Sequence, residues 1–267
     1  MHHRPPLPNY WAIEVHMDIL LGDNQNMENL PSLRVTIDGL YEAFSSYPLR
    51  DFTDPCLHCH TLEDEAELRS SPLRQLSAAD LEDYAADALT VWGGVDDFKH
   101  FLPRIFDLYF SEGEPQFQFL DPEILFSKLR HSQWLTWKTQ EQSAVRQLLQ
   151  SLWHEILGNP PPSSSFTDVQ SWLCSIAQAE DDLNPYLKAW LEDRRTSASF
   201  ALSSMLLSDA GRNAFWDGRE SQYAQLQNWR SSQGVITKLE DALASVESVS
   251  AKNEFAAALG SIIAVDS

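Results

Sequence analysis

Apolar residues in this chain recur mainly at intervals of three and four, which is the spacing of one face of an α-helix. Such faces occupy the segments 33–44, 81–92, 98–109 and 145–157. From residue 169 onward, shorter helical faces alternate with polar turns up to the end of the chain. Only Phe117 and Phe119, which alternate with glutamines, indicate a short extended piece. The pattern predicts an all-α fold of roughly ten helices without a substantial β-sheet.

Polar residues mark the expected starts of several helices. Thr61 with Asp64 and Ser77 with Asp80 have the spacing of a capping box, with Asp in place of the usual Glu. In such a box, each side chain bonds to the backbone N–H of the other residue. The residues 167–170, Thr-Asp-Val-Gln, have the same spacing and predict another helix start.

Glycine and proline mark the expected ends and breaks. We expect Gly93-Gly94 to end a helix that includes Trp92, because glycine favours the end of a helix. Pro103 falls inside the next predicted helix. Proline lacks a backbone N–H and its ring crowds the preceding turn, so we expect a kink or a break there.

A Pro-Pro-Pro-Ser-Ser-Ser segment at residues 160–165 is the one linker-like stretch. It divides the chain into an N-terminal helical bundle, residues 1–159, and a C-terminal helical region, residues 166–267. Short helices joined by short turns are typical of stacked hairpins, as in HEAT-like solenoids, although no repeat of fixed period is present. A single continuous domain is the alternative interpretation.

Composition and charge restrict the class of partner. The 267 residues include 19 Lys and Arg and 39 Asp and Glu, a formal charge of −20, while 43% hydrophobic residues indicate a globular chain. A net charge of −14 lies in residues 1–133 and −6 in residues 134–267. Nucleic-acid backbones and anionic membranes require clustered basic residues, so we expect neither as a partner. A basic protein would be attracted to the N-terminal half.

The N-terminus and the cysteines indicate the compartment. Charged residues interrupt the N-terminal segment and no apolar run reaches about 18 residues, so we expect neither a signal peptide nor a membrane helix. Three cysteines do not form a disulfide framework. We therefore expect a cytoplasmic protein with reduced thiols.

The densest group of reactive side chains lies between residues 56 and 60. Cys56, His58, Cys59 and His60 place two thiols and two imidazoles within five residues, and Cys-x-x-Cys spacing suits a zinc site. The remaining ligand would have to come from elsewhere in the chain: Cys174, His16, His100 or His131. A redox dithiol, a c-type haem attachment and a purely structural loop are the alternatives.

Four further residues are candidates for protein binding. Trp92 and His100 flank the diglycine turn and predict a recognition corner. Trp134 and Trp137 depart from the helical periodicity, so we consider them as exposed interface anchors. The alternative for all four is a place in the core.

No complete catalytic constellation is present in the sequence. Nucleotide-binding glycine motifs and the G-x-S-x-G elbow are absent, and the His154-Glu155 pair lacks a second histidine because Gly158 occupies that position. We therefore expect a non-catalytic protein-binding module, such as an inhibitor or immunity-type partner of a basic protein. A metal-binding or thiol-redox function of the Cys56–His60 loop is the alternative, and a catalytic site assembled from distant residues remains open.

Overall fold

The computed structural model describes residues 30–110, 117, 120–161, 168–208 and 211–265, with side chains up to residue 262. Within these ranges the chain forms twelve α-helices and three short 3₁₀ helices. No β-strand occurs there, and the extended pairing consists of the isolated bridges Pro55–Trp92 and Ala88–Trp92. The predicted all-α fold is confirmed. The solenoid-like stacking stays a prediction.

The chain folds into two compact units, and the described part of the first unit begins at Pro31 and ends at Leu148. The N-terminal 29 residues lie outside the described ranges. The helices of the first unit, with the start of the sixth, are α1 Leu33–Ala43, α2 Leu62–Glu67, α3 Ala78–Asp87, α4 Val95–Tyr109, α5 Pro122–His131 and α6 Thr139–Gly158.

The second unit comprises Asn24–Leu30, of which only Leu30 is described, and Leu149–Ser267, so the division falls within α6. Residues 162–165 of the predicted linker lie outside the described ranges. The remaining helices belong to this unit: α7 Val169–Ala179, α8 Asn184–Glu192, α9 Thr196–Leu207, α10 Glu220–Arg230, α11 Gln233–Ser245 and α12 Val249–Val265.

The core of the first unit forms around α4, which packs against α1 and α3. Pro103 lies inside this helix, and the expected break does not occur because α4 continues without interruption to Tyr109. An interior proline costs about 3 kcal/mol. Burial of one large apolar side chain stabilises the fold by about 1.5–3 kcal/mol. Fully buried side chains on both sides of Pro103 outweigh its cost: Phe98, Phe101, Leu102, Ile105 and Phe106.

In the second unit, α9, α11 and α12 pack against one another, and tryptophans occupy much of the remaining core. The rings of Trp153 and Trp190 meet edge to face with centroids 5.3 Å apart, and Trp190 stacks on Trp229 at 5.1 Å. The indole N–H groups of Trp153 and Trp190 donate to the carbonyls of Tyr186 and Ala198, respectively. Large rings are buried there without leaving these two donors unpaired.

Candidate functional site

The Cys56–His60 loop is paired with the segment that follows α3. The N–H of Cys56 donates to the carbonyl of Val91 at 2.8 Å, next to the Pro55–Trp92 bridge. The helix α3 ends at Asp87, earlier than the diglycine predicts. Leu89 adopts a left-handed conformation with φ of 68°, which no helix residue has, so the chain reverses there and Trp92 lies against the loop instead of in a helix.

Buried hydrogen bonds centred on Thr53 brace the base of the loop. The indole N–H of Trp92 donates to the Thr53 hydroxyl at 2.9 Å, and the backbone N–H of Thr53 donates to the Glu65 carboxylate at 3.0 Å. Arg69 also bonds to that carboxylate. Burial raises the pKa of Glu65, but the bonds from Arg69 and Thr53 outweigh it and lower the pKa overall. Glu65 therefore holds the loop as a charged acceptor.

His60 is directed into the protein. Its ring is 8% exposed and lies 4.4 Å from the ring of Trp92, and its Nε2 lies 2.8 Å from a carboxylate oxygen of Asp87. His58, two residues earlier, is exposed. The two imidazoles of the sequence motif therefore have different environments.

The two thiols of the loop, by contrast, are exposed and lie together. Cys56 and Cys59 are free and exposed, and the pKa of Cys56 is lowered, chiefly by the N–H of His58 and next by the thiol of Cys59. The backbone closes a turn between them, because the N–H of Cys59 donates to the carbonyl of Cys56 at 2.8 Å. The N–H of His60 donates to the same carbonyl at 3.0 Å.

The predicted metal site does not form as a group in the described residues. Among them, no three or more His, Cys, Asp or Glu side chains are arranged to hold a metal ion. Of the candidates for the remaining ligand, Cys174 is buried in α7, and the Nδ1–H of His100 donates to the Tyr47 carbonyl at 2.7 Å. His16 lies outside the described ranges. What the structure does bring together is the thiol pair.

Exposed apolar side chains surround the thiol pair along the chain. Of the ten large apolar side chains that are exposed in the described residues, four lie in this loop or close to it in the chain: Phe52 at 42%, Leu57 at 63%, Leu62 at 60% at the start of α2, and Val95 at 39% at the start of α4. We call the exposed side chains of residues 51–63, together with Val95 and Asp96, the loop face. The sequence analysis did not predict the apolar side chains of this face. The signal that could have revealed them is their position as isolated apolar residues within an acidic segment.

Acidic side chains occupy the rest of the loop face. Residues 51–68 contain six Asp and Glu and no Lys or Arg, and residues 77–98 contain another six without a basic residue. Asp51, Asp54, Glu63 and Asp96 are exposed. The loop face is therefore apolar and strongly negative.

The four candidate residues for protein binding have partners inside the first unit. Trp134 and Trp137 are 0% and 7% exposed, which differs from the expectation of exposed anchors, and Trp92 of the predicted recognition corner is also buried. The indole N–H of Trp137 donates to the Ser132 carbonyl at 3.0 Å, and His100 is half-buried. Trp92 and Trp137 pack in the core because an indole buries a large apolar area while its N–H finds an acceptor, the Thr53 hydroxyl for Trp92 and the Ser132 carbonyl for Trp137.

The second unit contains a groove of about 940 Å³ between the start of α9 and α11. Its charged wall is internally bonded, since Lys238 donates to the carbonyl of Asp193 and the Asp193 carboxylate pairs with Arg195. Burial lowers the pKa of Lys238. These bonds give the charged groups a structural role.

No protein-family model, no curated protein and no solved structure matches this chain. Within the described residues, none of the helices has both the length and the apolar character that a bilayer crossing requires. The loop face is therefore the site on which a functional proposal rests.

Proposed function

We propose that this chain is a protein-binding module and that its partner is a basic protein, which docks on the loop face. One observation carries the proposal: four exposed large apolar side chains lie among exposed carboxylates, Phe52 and Leu57 in the segment before α2 and Leu62 and Val95 at the first positions of α2 and α4. Exposed apolar groups bordered by polar ones are characteristic of interaction sites.

The two kinds of side chain have different tasks in such an interface. Buried apolar anchors supply most of the binding free energy, whereas charges accelerate association and select the partner. Residues 51–68 contain no Lys or Arg, and the neighbouring Arg50 is paired with Asp97, so carboxylates outnumber cations on the loop face. A partner with a complementary face presents Lys or Arg around an apolar centre.

The bracing of the loop supports binding with little rearrangement. Thr53 is fully buried and bonds to both Trp92 and Glu65, so the backbone beneath the exposed side chains is fixed before a partner arrives. A surface that is already ordered avoids part of the entropy cost of association.

The partner class follows from the chemistry of the loop face. A basic toxin or nuclease is one class of protein with the required charge, and an acidic inhibitor or immunity-type protein would cover the surface that such a partner uses for its own anionic substrate. This analogy rests on charge complementarity.

Matched surface variants test the proposal. Immobilised full-length protein is compared with the double variant Leu57→Lys and Leu62→Lys, and with a control, Val35→Lys and Val249→Lys, in which two exposed apolar residues outside the loop face change by the same charge. We expect the native chain and the control to enrich basic proteins from a native lysate at low salt. The best-enriched partner is then purified. Its dissociation constant for the loop-face variant should be at least about tenfold higher than for the native chain.

Two results would overturn the proposal. One is an enriched set without an excess of basic proteins. The other is a purified partner that binds the loop-face variant as tightly as it binds the native chain, since its docking surface would then lie elsewhere.

A further inference from the structure

The two thiols of the loop face are close enough to be joined. The hydrogen bond from the Cys59 N–H to the Cys56 carbonyl closes a four-residue turn, in which the end Cα atoms lie less than about 7 Å apart. A disulfide requires Cα atoms about 4.4–6.8 Å apart. Formation of a disulfide therefore needs little movement of the backbone.

The two sulfurs differ in their surroundings. The pKa of Cys56 is lowered, chiefly by the N–H of His58 and next by the thiol and the N–H of Cys59. The pKa of Cys59 is raised, chiefly because its thiol donates to Cys56. Hydrogen bonds to a thiolate stabilise the charged, nucleophilic form. From these directions we expect Cys56 to be the attacking sulfur and Cys59 the resolving one.

We propose that Cys56 and Cys59 form a thiol–disulfide exchange site whose substrate is a disulfide in the basic polypeptide that docks on the loop face. The identity of this substrate rests on the proposed function. The exchange chemistry itself rests on the thiol pair. Three features of the site support it: both cysteines are exposed, the turn between them brings their Cα atoms within the range of a disulfide, and exposed apolar side chains such as Leu57 lie at neighbouring positions of the chain.

The exchange is balanced without any further reactant. The Cys56 thiolate attacks one sulfur of the partner disulfide, forms a mixed disulfide and expels a partner thiolate. Cys59 loses its proton and attacks the sulfur of Cys56, so that the Cys56–Cys59 disulfide forms and the second partner thiolate leaves. The two protons of the original dithiol are taken up by the partner thiolates. The partner disulfide is reduced by two electrons, and the dithiol is oxidised by two.

A small neutral disulfide tests the chemistry independently of partner recognition. Reduced full-length protein is mixed with dithiodipyridine, and thiopyridone release is followed together with the intact mass. The native chain should release two equivalents and lose the mass of two hydrogens. Cys59→Ser should release one equivalent and retain an adduct on Cys56. Cys56→Ser should react at least about tenfold more slowly than Cys59→Ser. Cys174 is fully buried and serves as an internal thiol that stays unmodified.

Charge-matched peptides then test the substrate class. Two disulfide-bonded peptides of the same length, one with lysines and one with glutamates, are offered to the reduced native chain at low salt. The lysine peptide should react at least about tenfold faster, and added salt should reduce the difference because it screens the attraction.

The failures of the two parts are distinguishable. If the native chain keeps a stable pyridylthio adduct on each of the two cysteines, or if Cys59→Ser traps no adduct on Cys56, the exchange site is refuted whatever the partner. If dithiodipyridine gives the expected products but the two peptides react equally fast, the basic substrate class is refuted and the exchange chemistry stands.

Discussion

At the scale of single residues, the loop depends on backbone conformations that only certain side chains allow. Gly93 has a φ of +68°, and a Cβ atom at that position would lie 3.0 Å from a carboxylate oxygen of Asp97. The same atom would approach the carbonyl of Thr53 to 3.3 Å. Gly93 therefore lets the segment before α4 pass close to the base of the loop.

The substitution Gly93→Ala should destabilise the protein. A left-handed conformation costs an L-residue about 1–2 kcal/mol, and the crowded Cβ adds to this cost. We expect the free energy of unfolding in urea to fall by about 1–3 kcal/mol.

The matched control is Gly39→Ala in α1. Nothing lies within 4 Å of a Cβ atom at Gly39, so the same chemical change should stabilise the helix by about 0.5–1 kcal/mol. Equal effects of the two substitutions would contradict the assigned conformations.

The sequence indicates which residues of the site are reactive but not which way they face. Cys56, His58, Cys59 and His60 stand out by their spacing alone. The inward direction of His60 depends on Asp87 and Trp92, which lie about thirty positions away in the chain. Periodicity describes neighbours along a helix, so it carries no information about such long-range contacts.

At the scale of elements, capping explains most of what the sequence predicts correctly. Two of the three predicted boxes form: the Thr61 N–H bonds to Asp64 at 2.7 Å, and the Ser77 N–H bonds to Asp80 at 2.6 Å. Thr167 of the third lies outside the described residues. The start of α7 is shifted from the predicted box, because Asp168 is the N-cap and accepts from the N–H of Ser171. Asp caps as well as Thr, so the sequence alone does not choose between neighbours.

The cap of α3 provides a prediction at this scale. Ser77→Ala removes the acceptor for the Asp80 N–H and should lower the free energy of unfolding by about 1 kcal/mol. Ser77→Asn keeps a capping oxygen and should stay within about 0.5 kcal/mol of the native chain. A loss of the same size in both variants would mean that the hydroxyl acts through some contact other than the cap. Urea unfolding followed by circular dichroism measures both.

Elements that end on long-range contacts are harder to predict. The sequence extends the helix of α3 to Trp92, whereas the structure ends it at Asp87 and pairs Trp92 with Pro55. The indole bond to Thr53 and the contact with His60 hold Trp92 in that place. None of these contacts leaves a signal at helical spacing.

At the scale of the whole molecule, the periodicity of the sequence predicts the helical content. It does not predict which titratable groups have a pKa that burial shifts. The largest influence on the pKa of His100 is burial, which lowers it below the ordinary 6.5 against the opposing effect of the Tyr47 carbonyl. Burial likewise lowers the pKa of His154, and the Arg195 charge lowers it further. Burial raises the pKa of Glu141, but bonds from Lys99 and Tyr47 outweigh it, so the net shift is downward.

These shifts have the same sign and predict how stability depends on pH. The unfolded chain binds protons at these positions before the folded chain does, so stability is complete above the unfolded pKa and falls as the pH falls. As the pH falls, the two histidines begin to lower the stability first, below their unfolded pKa of 6.5. The buried carboxylates, including Glu141 and Glu65, begin to lower it below their unfolded pKa of 4.5.

Urea unfolding at about pH 7.5 and about pH 5.5 isolates the contribution of the histidines, because carboxylates hardly titrate in that range. The midpoint should fall on acidification, and His100→Asn should reduce the fall because it removes one titrating group. The formal charge of −20 acts in the opposite direction, since protonation relieves self-repulsion. A midpoint that rises between these pH values would mean that repulsion outweighs the buried histidines. A second series with added salt checks this, because salt screens the repulsion but hardly reaches buried groups.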